Sequence, residues 1–110
     1  MSHVTTHVLD AVAGTPAQGV AVALSQRGSD GWEPLASAVT NADGRVGDFG
    51  PDKLEPGIYQ VHFDTGMYFS KRDQPTFYPE VTIVFEVTDG AHYHVPLLLS
   101  PFAYSTYRGS

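Results

Sequence analysis

HYHVPLLL, residues 92–99, alternates: Tyr93, Val95, Leu97 and Leu99 form an unbroken apolar set, and His92, His94, Pro96 and Leu98 fall between them. Successive side chains of a β-strand point to opposite faces, so a period of two puts the first set in a core and the second on an outer face. Pro96 has no N–H to give a ladder and predicts a sheet edge or a bulge nearby.

The same alternation recurs on either side. In VTTHVLD (4–10) Val4, Thr6 and Val8 share one face and Thr5, His7 and Leu9 the other. In GIYQVHFD (57–64) Tyr59, Val61 and Phe63 point inward, leaving His62 outside with Ile58 and Gln60 as a surface histidine. GVAVALSQ (19–26), WEPLASAVT (32–40), EVTIVFEV (80–87) and FAYSTY (102–107) are further strand candidates, the last expected to be anchored by Phe102 and Tyr104. The connecting segments AGTPAQ, RGSDG, NADGR, LEPG, TDGA and SP all carry Gly, Pro or Asn/Asp turn chemistry. Only TGMYFSKRDQ (65–74) breaks the pattern, with Thr65 placed to cap one or two helical turns that end in basic residues before Pro75. The reading is an all-β, two-sheet β-sandwich of seven to eight strands with one short surface helix, a single domain over residues 1–110.

Composition narrows the function classes. A formal charge of -6, with no basic cluster larger than Lys71-Arg72, repels a phosphate backbone and argues against nucleic acid. The absence of cysteine removes disulfides, thiolate nucleophiles and thiolate metal sites, and suits a reducing compartment. No apolar run exceeds five residues, VPLLL among them, too short for a membrane span or a secretion signal. A soluble, cytoplasmic protein with no membrane partner is expected.

Residues two apart on a strand lie roughly 6.5–7 Å from one another, so His92 and His94 are close enough to serve one site. Three readings compete for them: a solvated strand face, an HxH metal site that still needs a third ligand, and an acid/base site suited to imidazole. The spacing alone leaves all three open. His7 and His94 share outer faces with Leu9, Pro96 and Leu98, a surface too apolar to leave in water, which predicts that a second copy of the chain covers it.

These residues resemble the transthyretin-related hydrolases of urate breakdown, the 5-hydroxyisourate hydrolase family. The likeness runs through THVLD (6–10), GTPAQGVAVAL (14–24), TNADGR (40–45), PGIYQVHFDT (56–65), YPEV (78–81), HYHVPLLLSP (92–101) and YSTYRGS (104–110). Several of these blocks resemble transthyretin-like sandwiches in general, including non-catalytic ones, and indicate only a fold. His7, Arg45, His94 and the ending Tyr107-Arg108-Gly109-Ser110 resemble the features that separate the hydrolases from transthyretin, the hormone carrier on the same scaffold.

The resemblance implies hydrolysis of the N1–C6 amide of 5-hydroxyisourate, with no metal or organic cofactor, in a homotetramer built as a dimer of dimers with active sites where dimers meet. It implies catalytic roles for His7, Arg45 and His94, and it puts Tyr107, Arg108, Gly109 and Ser110 at the rim of the pocket with His92 in support. Asp10, Asp43 and Glu80, beside turns or opening a strand, are read as structural. A small-ligand carrier without catalysis, and a zinc site built on His92 and His94, are the alternatives.

Overall fold

The computed structural model describes residues 2–110. Its elements run β1 (Val4–Asp10), β2 (Thr15–Pro16), β3 (Ala21–Gly28), β4 (Gly31–Val39), β5 (Arg45–Val46), β6 (Gly57–Phe63), α1 (Thr65–Ser70), β7 (Val81–Val87), β8 (Tyr93–Leu99) and β9 (Tyr104–Thr106). The two-sheet architecture follows the alternation: one sheet is ordered β2-β1-β8-β9 with β5 also pairing β1, and the other β4-β3-β6-β7. Val4, Val8, Tyr59, Val61, Phe63, Leu97 and Leu99 are buried between the sheets, the inward set that the period of two selects. Two short strands, β2 and β5, come in addition to the seven read from sequence, because two-residue strands carry no period.

The arrangement that matters for the site is the parallel pairing of β1 with β8, in register from Val4↔Tyr93 to Asp10↔Leu99. It sets Thr5 beside His94 and His7 beside Pro96. On its other side β1 pairs with β5, which brings Arg45 opposite His7.

Pro96 does not mark a sheet edge. β8 is an interior strand, with β1 on one side and β9 on the other. The antiparallel register Leu97↔Thr106 resumes as an isolated bridge at His94↔Gly109, so Pro96 stands across from Tyr107, where pairing lapses. The gap is the local consequence of a missing N–H, and the Thr106 hydroxyl closes part of it by donating to the Pro96 carbonyl at 2.7 Å.

Two smaller expectations also change. The cap of α1 is Asp64, whose carboxylate accepts from Met67 N–H at 3.2 Å, while Thr65 is the first helical residue and its hydroxyl donates to the Tyr78 carbonyl. Phe102 does not anchor β9: it is 64% exposed, and Tyr104 is also exposed. The strand is held instead by its ladder to β8 and by the Thr106 bond. Asp10 is structural as read, its carboxylate accepting from the Tyr68 hydroxyl at 2.8 Å and from the N–H groups of Val12 and Ala13. Burial and that carboxylate push the Tyr68 hydroxyl up to about 12.

Candidate active site

β1, β5 and β8 each contribute polar side chains to one outer face of their sheet. His94 projects from β8, and the Thr5 hydroxyl next to it on β1 lies 2.8 Å from His94 Nδ1 and 3.0 Å from His92 Nε2. The rings of His92 and His94 are near-parallel, with centroids 6.3 Å apart, and the His7 ring lies 6.4 Å from that of His94. A pocket of ≈ 250 Å³ opens here, lined by Thr5, Arg45, Gly47, His92, His94 and Ser110 among others.

Arg45 reaches the site because of the turn before it. The Asn41 side chain accepts from the N–H groups of Asp43 and Arg45, an Asx-type closure that turns the chain through Asn-Ala-Asp-Gly. Gly44 ends the turn at φ +71°, and a Cβ there would drive into the Val8 carbonyl, so the position needs glycine twice over. The chain then enters β5 with Arg45 against His7.

Both site histidines hold their protons weakly. Burial lowers the His94 pKa below 6.5, and Arg45, His7 and His92 add to the shift. His7 is lowered first by burial and then by Arg45, against an opposing hydrogen bond to the Asp43 backbone and the Asp43 charge. Both imidazoles are therefore neutral at neutral pH and able to accept a proton.

The residues at 107–110 divide. Ser110 lines the His94 pocket. Gly109 packs against the His94 ring and binds its backbone, Gly109 N–H donating to the His94 carbonyl at 2.9 Å. A Cβ at Gly109 would sit 2.5 Å from His94 Cδ2, so glycine is what lets the ring lie flat against this segment. Tyr107 and Arg108 lie on the other side of His94, in a neighbouring cleft of ≈ 180 Å³ between the two sheets, with the Arg108 guanidinium 4.2 Å from the Tyr93 ring centroid. One chain thus gathers Arg45, His92, His94 and Ser110 around that pocket, sets His7 beside His94 and Arg45 but outside the lining, and leaves Tyr107 and Arg108 in the neighbouring cleft.

Thr5 was missed in the sequence, where it is one more β-branched residue in a strand; its role depends on a partner 89 residues away. His3 was also passed over, and it is a core histidine: buried, with Nδ1 accepting from Leu54 N–H and Nε2 donating to the Ala91 carbonyl. His62 is the surface histidine expected, 2.8 Å from Glu80. Among the described residues no group of three His, Asp or Glu side chains is disposed to hold a metal ion, so the zinc reading of His92 and His94 lacks a third ligand within one chain.

A model of the HIUase/Transthyretin family matches residues 4–109. The chain belongs to that family. A 5-hydroxyisourate hydrolase of Mus musculus is 47% identical over 113 residues, covering 99% of this chain and 96% of the relative. The solved structure of the Klebsiella pneumoniae 5-hydroxyisourate hydrolase superposes with a TM-score of 0.88 at 41% identity, over 97% of this chain and 98% of that one. Transthyretin from Sparus aurata superposes with a TM-score of 0.92 at 35% identity, over 99% and 97%. Family members with different names thus share this backbone equally well, and the decision between them rests on the side chains of the pocket.

Proposed function

We propose that the protein hydrolyses 5-hydroxyisourate, opening its six-membered ring at the N1–C6 amide to give 2-oxo-4-hydroxy-4-carboxy-5-ureidoimidazoline in urate degradation. The observation that carries this reading is that proton-poor His94 lines one pocket with Arg45, while the second proton-poor histidine, His7, lies 6.4 Å from it ring to ring and across the ladder from Arg45, in a chain 47% identical to a relative named for that reaction. Water attacks the C6 carbonyl and loses its proton to His94, whose Nδ1 is held by Thr5 while Nε2 makes no hydrogen bond among the described residues. The Arg45 guanidinium stabilises the oxyanion, and the departing nitrogen is reprotonated from the His94–His7 pair. No cofactor takes part.

The assembly that suits this site is a homotetramer, a dimer of dimers. β7 and β9 are the outer strands at the same side of the sandwich, both lining the cleft beside Tyr107, and pairing with a second copy would continue both sheets. The outer face of the histidine-bearing sheet meanwhile carries the half-buried Leu9 and Leu98 beside the histidines, an apolar surface for the second dimer to cover. Among the described residues no helix is long and apolar enough to cross a membrane, and a cytoplasmic location fits the lack of cysteine.

The test generates 5-hydroxyisourate from urate in situ and follows its decay. Catalytic amounts of protein should accelerate decay well beyond the spontaneous rate, and His94→Ala should remove most of the gain. The likeness to transthyretin favours one rival, a carrier; stoichiometric binding with decay left at the spontaneous rate would establish it and end the hydrolase reading.

A further inference from the structure

The Thr5 hydroxyl faces two imidazole nitrogens and has a single hydrogen to share. It can donate to His92 Nε2 or to His94 Nδ1, and whichever nitrogen it does not donate to must itself carry a hydrogen and donate to the Thr5 oxygen, since neither distance, 3.0 or 2.8 Å, tolerates two lone pairs facing each other. One arrangement makes His94 an Nδ1–H donor with Nε2 bare. The other gives His94 an Nε2–H. The direction of this short chain therefore decides whether His94 offers the pocket a base or an acid.

We propose that Thr5 is a positioning residue whose hydroxyl donates to His92 Nε2 and accepts from His94 Nδ1–H, holding His94 with Nε2 bare for proton abstraction. Arg45 lines the same pocket and favours this direction, because a nearby cation stabilises a free lone pair and penalises an N–H in its place. The same chain gives the proton an exit. When His94 Nε2 takes a proton from water, Nδ1–H passes its hydrogen to the Thr5 oxygen, and the Thr5 hydrogen moves to His92 Nε2. One proton enters at His94, one positive charge appears on His92, and Thr5 is unchanged. His92 is exposed and can release the charge to solvent. The pairing of Thr5 with His94 in the β1–β8 ladder fixes the oxygen in place, so the geometry depends on the backbone and not on a mobile loop.

The kinetic half of the test rests on the hydrolase reading; the spectroscopic half does not. Thr5→Val keeps the shape of the side chain and removes the hydroxyl, while Thr5→Ser keeps the hydroxyl and removes a methyl. Thr5→Val should lower kcat for 5-hydroxyisourate by about 10- to 100-fold, a fraction of what a positioned acid/base group contributes, with KM and melting temperature little changed, and Thr5→Ser should restore most of the loss. In the free protein, 15N chemical shifts of the histidine rings should report an Nδ1–H tautomer at His94, which Thr5→Val converts to a mixture. His92→Phe should move that equilibrium when Thr5 is present and leave it unmoved in the Thr5→Val background. Equal loss of activity in Thr5→Val and Thr5→Ser would make the residue a packing element and overturn the proposal, as would His94 shifts indifferent to Thr5→Val. If the shifts respond as expected but the wild-type protein does not accelerate ring opening, the bridge stands and the substrate assignment falls.

Discussion

Gly109→Ala adds one methyl group to a largely exposed stretch of chain, and the structure predicts a large loss of activity from it. A Cβ at that position would meet His94 Cδ2 at 2.5 Å and Cγ at 3.2 Å, where ordinary contact begins near 3.4 Å. The ring must retreat by about 0.9 Å, or the segment at 107–110 must lift away. Thr5 flanks His94 on the β1 side, opposite Gly109, so retreat of the ring drives Nδ1 toward the Thr5 hydroxyl; a bond already at 2.8 Å has no room to shorten by that amount and must bend out of line or break. Lifting the segment loses the 2.9 Å bond from Gly109 N–H to the His94 carbonyl and moves Ser110 out of the pocket. A misplacement near 1 Å costs about 10²-fold in a positioned reaction. The fold has little at stake, since the core lies between the sheets and this face is outside it. Steady-state kinetics on 5-hydroxyisourate, paired with thermal unfolding, should give kcat lower by about 10²-fold and stability within about 1 kcal/mol of the parent. A Gly109→Ala variant that turns over normally would show that His94 has slack in this direction, and the positioning argument for the ring would fail.

Arg45→Gln should lower kcat and also move the acid limb of kcat/KM to higher pH, toward 6.5, because the Arg45 charge is the second cause of the lowered pKa of His7 and of His94. Arg45→Lys should keep the limb where it is yet recover little kcat, since an ammonium lacks the planar fork; full recovery by Lys would reduce Arg45 to a point charge. Deleting Arg108, Gly109 and Ser110 removes the contact with Tyr93 and one backbone hydrogen bond, together about 1–2 kcal/mol, while activity falls much further; a protein that melts far lower with kcat/KM intact would make the segment a clasp. Acid should destabilise the fold through His7 and His94: both bind protons more weakly when folded than at 6.5 when unfolded, so their contribution is complete above 6.5 and is lost as pH falls below it toward the lowered values. Urea midpoints compared at about pH 7 and about pH 5.5, on either side of the ordinary histidine range, should show a smaller drop in the His7→Ala, His94→Ala double variant than in the parent.

The faces of β1, β6 and β8 were legible because a half-buried strand writes its burial into every second residue. Val4, Tyr59 and Leu97 went inward and His7, His62 and His94 outward as the alternation requires. What stayed hidden depended on pairing. β5 is two residues long and has no pattern of its own, so the contact between His7 and Arg45 is visible only in the ladder. Pro96 suggested an edge or a bulge because the rule concerns lost hydrogen bonds, and an interior strand can absorb one such loss where its neighbour briefly lets go. Phe102 looked like an anchor by residue type and stands in solvent within one chain.

The parallel pairing of β1 with β8 also sets a timetable for the newborn chain. Thr5 leaves the ribosome 89 residues ahead of His94, which at about 5–20 residues per second is a wait of roughly 4–18 s. Throughout that interval β1 has one long flank without its final neighbour, and its apolar side chains, Val4 and Val8, have only part of their eventual cover. The pocket cannot form before His94 has emerged, because His7 and His94 arrive at opposite ends of that wait. Activity therefore requires that synthesis has passed β8, and the strand that waits for it is the one for which a folding cell has reason to provide a chaperone.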